Sequence, residues 1–282
     1  MPDLRFDVLV LAGRRDENDE LAAAAGATHR ALLDIAGTPM LARVLTTLMA
    51  HDRIDLILLC SDAPELLQEV PAIADMVSSG RVQLLPAAES PSRSVLAGID
   101  SLTARDNNSK PLLVTTGDHA LLDHGMLDFF LDASHGAAQA GNADVTLALV
   151  SETIIAKRFP DVARTYLPFR GERYSGANLF GFMNPDARKV AVFWRTAEEH
   201  RKQPWRMVSK FGFLSLVLFI LRRLDLASAF ERVSMAVGAR VVAIEMPVAE
   251  AAVDVDKVSD WMLVNRVFDE RAAAAAANDT TT

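Results

Sequence analysis

The fold of this 282-residue chain is decided by Asp7-Val8-Leu9-Val10-Leu11-Ala12-Gly13, a stretch close to the N-terminus. Its unbroken apolar run, Val8 to Leu11, is typical of a strand that is buried on both faces, as the strands of parallel sheets are. The small residues Ala12 and Gly13 close the run, and nucleotides bind in crevices at the carboxyl ends of such strands. The stretch therefore predicts a parallel sheet with a nucleotide-sized crevice beside Gly13.

A loop, a basic residue and a helix follow this strand. The loop is acidic, with Asp16, Glu17, Asp19 and Glu20. It is followed by Thr28-His29-Arg30-Ala31-Leu32-Leu33 and by Ile35-Ala36-Gly37-Thr38-Pro39-Met40-Leu41. Thr38 and Pro39 are suited to the N-cap and the first position of a helix whose apolar positions continue to Leu48. We therefore expect the order strand, long acidic loop, basic residue, tight turn and helix.

Strands alternate with helices further along the chain. The pattern predicts strands at residues 54–61, 82–86, 111–116 and 144–150, and helices at 65–77 and from about residue 92. Residues 164–182 are expected to form a β-hairpin or a pair of edge strands. Because parallel strands in one sheet are joined by right-handed crossovers, the expected fold is a three-layer α/β/α sandwich with a mostly parallel, Rossmann-like sheet. We expect one domain over residues 1–270, with a distinct region at 152–235 and a flexible tail at 271–282.

The composition argues against several classes of protein. A net charge of −8 and a pI near 5.3 are unfavourable for a nucleic-acid-binding protein, since such binding depends on cationic neutralisation of phosphates. The single cysteine, Cys60, excludes an internal disulfide framework and is expected to fill space in the core. No signal peptide precedes the first strand, which predicts a cytoplasmic location.

A basic and apolar segment lies at residues 205–223. It begins at Trp205 among basic residues, is almost wholly apolar over residues 211–221, and ends at Arg222 and Arg223. The apolar part is shorter than the ~20 residues that span a bilayer. Two interpretations remain: a buried helix, or a peripheral contact with a membrane surface or an anionic lipid-linked molecule.

The motifs Leu-Ala-Gly-x-Arg, His-Arg-Ala-Leu-Leu and Ile-Ala-Gly-x-Pro-Met-Leu, in this order, resemble those of the MobA-like nucleotidyltransferase family. Members of that family transfer a nucleoside monophosphate from an NTP to a phosphorylated acceptor. The resemblance implies a fold of the nucleotide-diphospho-sugar transferase type and an NTP held around Leu11, Ala12, Gly13 and Arg14. It also implies that Arg14 and Arg30 are catalytic residues on the phosphates. Arg30 stands where the family often has lysine, and a guanidinium can bind two phosphate oxygens at once.

A second motif, Thr115-Thr116-Gly117-Asp118-His119, ends the apolar strand at residues 111–116. Because parallel strands end at one edge of the sheet, we expect Asp118 close to Gly13. The segment is similar to the family's T-x-D-x-P-L-L, which implies that Thr116 lies at the nucleotide and that Asp118 is catalytic and binds Mg²⁺, an ion that prefers carboxylate and phosphate oxygens. Alternatively, Asp118 is the N-cap of the next helix. We interpret His119 as a solvated loop residue.

Three further segments carry the resemblance. Asp254-Val255-Asp256 is similar to the family's V-D-x-D ending, which implies Asp256 as the second metal ligand and leaves Asp254 as its rival. Ser94 corresponds to a serine beside the nucleotide base, whereas Ser92 as a mere helix cap is the alternative interpretation. A Ser-Gly-x-Asn segment implies an acceptor site formed by Arg170, Arg173, Ser175, Gly176 and Asn178, although turns also select Gly and Asn.

The predicted function is therefore a magnesium-dependent nucleotidyltransferase that moves an NMP from an NTP to a phosphorylated small-molecule acceptor and releases pyrophosphate. The acceptor phosphate is already an anionic nucleophile at neutral pH, so no general base is required. Two alternatives are weighed beside it. The D-x-D pattern at Asp254 to Asp256 suits a nucleotide-sugar-dependent glycosyltransferase, although such a pattern usually lies mid-chain, and the acidic, glycine-poor loop suits a non-catalytic nucleotide-binding protein.

Overall fold

The computed structural model describes residues 4–13, 19–105, 110–200 and 224–279. The strands in these ranges are β1 (Phe6–Leu11), β2 (Asp34–Ile35), β3 (Thr38–Pro39), β4 (Ile54–Ser61), β5 (Val82–Pro86), β6 (Leu112–Thr116), β7 (Val145–Ser151), β8 (Leu167–Pro168), β9 (Arg173–Phe182) and β10 (Val241–Glu245). The main sheet has the order β10-β7-β9-β6-β1-β4-β5, and β8 pairs with β9, while β2 and β3 form a small antiparallel pair.

The main sheet is mostly parallel, as predicted. β1 pairs in parallel with β4 and β6, β4 with β5, and β7 with β10. β9 runs antiparallel to both of its long neighbours, β6 and β7. The predicted antiparallel pair within residues 164–182 is therefore present, but β9 lies in the middle of the sheet and is not an edge strand.

Helices cover both faces of the sheet and complete the three layers. They are α1 (Glu20–Ala24), α2 (Met40–Ala50), α3 (Pro64–Gln68), α4 (Pro71–Ser78), α5 (Pro91–Thr103), α6 (His124–Gln139), α7 (Glu152–Arg158), α8 (Arg188–Glu199), α9 (Leu226–Val237) and α10 (Val258–Asp279). Alternate residues of β1 enter different cores: Val8 and Val10 pack in one, and Leu9 packs in the other with Cys60. The prediction that β1 is buried on both faces, and that Cys60 is a core residue, is thus confirmed.

Two predicted helix boundaries are wrong. Thr38 and Pro39 form β3, and Pro39, not Thr38, occupies the N-cap position of α2, which begins at Met40 without a side-chain cap. The helix predicted at residues 65–77 is divided into α3 and α4, and Pro71 begins the second of them. A proline cannot donate the backbone hydrogen bond that a continuous helix needs at this point, but it is well tolerated in a first turn.

At the C-terminal end, α10 continues through the alanine-rich stretch to Asp279. Alanine has the highest intrinsic helix propensity, which accounts for this extension. Within the described ranges, no helix is long and apolar enough to cross a membrane. The peripheral membrane contact predicted near residues 205–223 lies outside the described residues.

An ion pair between the buried Asp144 carboxylate and the half-exposed Arg240 anchors the amino ends of β7 and β10. The Asp144 carboxylate is 3% exposed and accepts hydrogen bonds from the backbone N–H of Arg240 (2.7 Å), from its guanidinium (2.6 Å for Nη2), and from Asn184 Nδ2 (2.8 Å). The bonds from Arg240 hold the pKa of Asp144 below its ordinary value. The carboxylate therefore stabilises the fold above about pH 4, and this contribution is lost as the pH falls towards the lowered pKa.

We expect Asp144→Asn to lower the free energy of unfolding by about 1.5–3 kcal/mol at pH 7, because hydrogen bonds to a charged group are lost. Urea unfolding at pH 7 and pH 3 measures the effect, which should shrink at the lower pH. The control is Asp100→Asn. Its partner Arg188 and the Asp100 side chain are both about half exposed or more, so the change should stay within about 0.5 kcal/mol. Equal losses at both pH values would contradict the assignment.

Candidate active site

The two strongest sequence motifs meet at one edge of the sheet, as predicted. Leu11, the last residue of β1, pairs with Thr116, the last residue of β6. The next residue, Gly117, donates its N–H to the Leu11 carbonyl oxygen (2.8 Å). A Cβ at Gly117 would lie 3.1 Å from both Ala12 Cβ and Leu41 Cδ1, which is closer than ordinary packing distance. Glycine thus lets the loop after β6 approach the end of β1.

Gly13 lies at the exposed mouth of this edge. The preceding residue, Ala12, still donates its N–H to the Cys60 carbonyl oxygen (2.8 Å), so the sheet hydrogen bonds continue through Ala12. A Cβ on Gly13 would meet Ala87 at 3.4 Å and the Asp62 carboxylate at 3.9 Å. The N–H of Ala12 is therefore engaged in the sheet, and nucleotide binding at Leu11, Ala12 and Gly13 stays a prediction. Arg14 lies outside the described residues.

Asp118 follows directly in the β6 loop. Its carboxylate accepts a hydrogen bond from the Thr116 hydroxyl (2.5 Å), and its carbonyl oxygen accepts one from the N–H of Val255 (3.1 Å). The alternative that Asp118 caps the next helix is wrong, because Asp123 occupies the N-cap of α6 and accepts from the N–H of Met126 (2.9 Å). Asp118 is thus joined through Val255 to the D-x-D segment.

The bond between Val255 and Asp118 brings the D-x-D segment to the same edge. Burial, together with the charges of Asp118 and Asp256, raises the pKa of Asp254 to about 6, while Arg164 opposes the rise. The raised pKa reflects burial first and, in addition, the negative charges of Asp118 and Asp256 close to Asp254. Within the described ranges, no three His, Cys, Asp or Glu side chains are grouped to hold a metal by themselves.

Arg30 bridges the acidic loop and the D-x-D segment. Its Nε donates to the Asp19 carboxylate (3.0 Å), its Nη2 donates to the Asp256 carbonyl oxygen (3.2 Å), and its Nη1 lies 3.5 Å from an Asp256 carboxylate oxygen. The other Asp19 oxygen caps α1 by accepting from the N–H groups of Leu21 and Ala22 (3.1 Å each). The guanidinium is therefore in the crevice with carboxylates as its partners.

Arg164 is a site residue that the sequence interpretation missed. Its side chain is 11% exposed. Its Nη1 lies 3.3 Å from Oδ1 of Asp254, and its Nη2 lies 3.6 Å from Oδ1 of Asp260. Asp260 itself is buried, and its other oxygen accepts from the N–H groups of Asp256 (3.3 Å) and Lys257 (3.2 Å). No local pattern in the sequence distinguishes Arg164 from the exposed arginines near it.

Ser94 shapes the turn before α5. Its hydroxyl accepts a hydrogen bond from the N–H of Ala88 (2.9 Å), and the side chain is 4% exposed. The alternative that Ser92 caps the helix is wrong: Ser90 is the N-cap, and Ser92 donates to Glu198 of α8. A contact between Ser94 and a nucleotide base stays a prediction.

The predicted acceptor residues are spread along β9 and the turn before it. Leu179 pairs with Thr115 of β6, which places the adjacent Asn178 at the edge that carries Asp118. Gly176 is exposed there, and Ser175 is buried.

The two predicted acceptor arginines have acidic partners. Arg173 pairs with Glu152, and Arg170 pairs with Asp225 (2.7 Å). At about 3.3 Å per residue, Arg173 lies roughly 17 Å along β9 from Asn178. The structure therefore places Asn178 at the edge that carries Asp118, while the acceptor contacts of Arg170 and Arg173 stay predictions.

His119 is buried, so its interpretation as a solvated loop residue is wrong. The side chain is 1% exposed, and neither ring nitrogen has a hydrogen-bond partner among the described residues. Burial lowers the pKa of His119 to about 4, and the ring is therefore neutral at pH 7.

Solved structures share this fold. A hypothetical transferase from Thermus thermophilus is 27% identical, with a TM-score of 0.72 over 92% of this chain and 100% of that one. A 4-diphosphocytidyl-2C-methyl-D-erythritol synthase (14% identity, TM-score 0.52, 94% and 99% coverage) and a CMP:2-keto-3-deoxy-manno-octonic acid synthetase complexed with CTP (12% identity, TM-score 0.55, 95% and 99% coverage) share the fold. The fold is that of these α/β transferases.

The family follows from the sequence match. The MobA-like NTP transferase domain matches residues 9–165, which is more than half of the chain. The chain belongs to this family and is a nucleotidyltransferase. No protein with a curated description matches it.

Proposed function

We propose that the chain is a magnesium-dependent nucleotidyltransferase that transfers an NMP from an NTP to a phosphorylated small-molecule acceptor and releases pyrophosphate. The observation that carries the proposal is the bond from Val255 N–H to the Asp118 carbonyl oxygen. It joins the two aspartate-bearing segments beside Gly13, at the edge of the sheet where nucleotides bind in open α/β folds.

The donor set fits Mg²⁺. This ion is usually bound by one or two carboxylates together with substrate phosphates, and Asp118 and Asp256 provide two carboxylates in a place where the charges of both raise the pKa of Asp254. A divalent cation would relieve this repulsion. Bound by Asp118 and Asp256, Mg²⁺ would supply charge neutralisation on the phosphates of the NTP.

The other side chains of the crevice would contribute to catalysis by positioning the substrates. The acceptor phosphate oxygen attacks the α-phosphorus, and the bond to the bridging oxygen breaks as pyrophosphate leaves. We propose that Arg30, with Arg14, binds the phosphates of the NTP and stabilises the charge on the leaving group. No side chain has to remove a proton, because the nucleophile is already an anion.

The acceptor is proposed to bind beside β9. Asn178 and Gly176 are the supported contacts, because they lie where β9 reaches the Asp118 edge. We propose that residues 152–235 form the acceptor-binding region of one domain that extends over residues 1–270. Ser94 and Thr116 are proposed to line the nucleotide.

A pyrophosphate-release screen tests the proposal. Each of the four NTPs is combined with a panel of sugar, alditol and alcohol phosphates, with Mg²⁺ and again with excess EDTA. We expect release with one combination and none with EDTA. Hydrolysis or transfer from nucleotide sugars, without pyrophosphate release from any NTP, would favour the glycosyltransferase alternative.

We expect Asp256→Asn to weaken activity moderately, on the order of tenfold, because the Asp256 carboxylate already shares its charge with Arg30 (Nη1 at 3.5 Å) and an amide oxygen can still contact the ion. The measurement is kcat/KM as a function of Mg²⁺ concentration, which should show a higher half-saturation. Asp254→Asn is assayed in parallel. A heavy loss with Asp254→Asn and none with Asp256→Asn would assign the metal to Asp254 instead.

A further inference from the structure

Beneath the D-x-D segment lies a buried network of charges that centres on Arg164. The guanidinium is the only described cation within salt-bridge distance of both Asp254 (3.3 Å) and Asp260 (3.6 Å), and its side chain is 11% exposed. A buried guanidinium with two carboxylate partners is costly to desolvate and is stabilised only by those partners. The position of the Arg164 guanidinium therefore depends on the positions of the Asp254 and Asp260 carboxylates.

Asp260 links Arg164 to the backbone of the D-x-D segment. One oxygen of Asp260 faces Arg164, and the other accepts from the N–H groups of Asp256 and Lys257. Asp260 is buried and lies in the first turn of α10. The Asp260 carboxylate, which faces Arg164, therefore fixes the backbone at Asp256 and with it the direction of the Asp256 side chain.

We propose that Arg164 is a positioning residue, which holds Asp254 and Asp260 and thereby orients the segment that carries Asp256 for a divalent cation. This inference rests on the proposed function. Arg164 acts through its carboxylate partners, and it is distinct from Arg30, whose bonds reach Asp19 and the Asp256 backbone.

The test measures binding of Mn²⁺ directly, by electron paramagnetic resonance, alone and with each of ATP, CTP, GTP and UTP. We expect Arg164→Met to weaken Mn²⁺ binding about ten- to a hundredfold, the usual effect of removing a group that orients a metal ligand. Arg164→Lys should lie between the parent and Arg164→Met, because an ammonium can satisfy one carboxylate but not both with a planar fork. It also provides a foldable variant if Arg164→Met is unstable.

Two controls separate positioning from stability. Arg240→Met removes another arginine with a buried carboxylate partner, at the amino ends of β7 and β10. It should lower thermal stability and leave Mn²⁺ binding unchanged. Asp260→Asn keeps an oxygen for the two N–H groups but removes the charge that faces Arg164. Added to Arg164→Met, it should weaken binding no further, because the two residues act as one unit.

The outcomes are distinguishable. If the parent binds Mn²⁺ and Arg164→Met binds it equally well, the inference is wrong and the proposed function stands. If the losses from Arg164→Met and Asp260→Asn simply add, Arg164 does not act through Asp260, and the inference is also overturned. If the parent binds no Mn²⁺ with any of the nucleotides, the metal-dependent function itself falls, and the inference falls with it.

Discussion

Asp118→Asn is expected to reduce kcat/KM by on the order of a thousandfold while leaving the fold intact. The change replaces the carboxylate that we propose as a ligand of Mg²⁺ by a neutral amide, and charge stabilisation of the transition state is a large contribution to such catalysis. The Asn oxygen can still accept from Thr116, and the backbone bond from Val255 is unchanged. The free energy of unfolding should therefore change by about 0.5 kcal/mol or less.

Pyrophosphate release and urea unfolding measure the two effects on the same samples. The matched control is Asp123→Asn, in the same loop, because Asp123 caps α6 and asparagine is an equally good cap. We expect full activity from the control. Normal turnover by a well-folded Asp118→Asn protein would show that Asp118 does not bind an essential ion.

The main features of the fold follow from local pattern. The apolar run at residues 8–11 predicts a strand buried on both faces, and the alternation of strands and helices predicts a parallel sheet; both are confirmed. The meeting of Gly13 and Asp118 follows from the same rule, since parallel strands end at one edge. These inferences succeed because hydrophobic periodicity and chain direction are determined by short segments.

The parts that were missed depend on contacts between distant segments. β9 has the alternation of an ordinary strand, and only its pairing with both β6 and β7 places it in the middle of the sheet. Arg164 is one arginine among many until Asp254 and Asp260 are brought to it. His119 lies in a loop, where we expect a solvated side chain, yet tertiary packing buries it. Side-chain partners separated by many residues leave no periodic signal in the chain.

Arg30 shows how such a partner changes the interpretation of a motif. The family resemblance implies a cation on the phosphates of the NTP, and the structure places Arg30 in the crevice with Asp19 on its Nε. The Asp19 carboxylate accepts the hydrogen bond from Nε of Arg30, a donor that a phosphate oxygen would also need. If Arg30 binds the NTP as proposed, Asp19 competes with the nucleotide for the guanidinium, and binding of an NTP has to displace or share this pair.

We expect Arg30→Ala to weaken NTP binding by about 1.5–3 kcal/mol, or roughly ten- to a hundredfold, through the loss of charge-assisted hydrogen bonds. Arg30→Lys should retain much of the affinity, because the charge remains although the fork is lost. Calorimetric titration with each NTP and Mg²⁺ measures both variants.

Asp19→Asn separates phosphate binding from a purely structural role of Arg30. Asparagine is as good an N-cap as aspartate, so α1 keeps its cap while the charge that pairs with Arg30 disappears. If Arg30 binds the phosphates, Asp19→Asn should bind NTP as tightly as the parent or more tightly, because the competing carboxylate is gone. If Arg30→Ala binds as well as the parent, Arg30 serves only to tie Asp19 to the Asp256 backbone, and the phosphates must be held by other residues of the crevice.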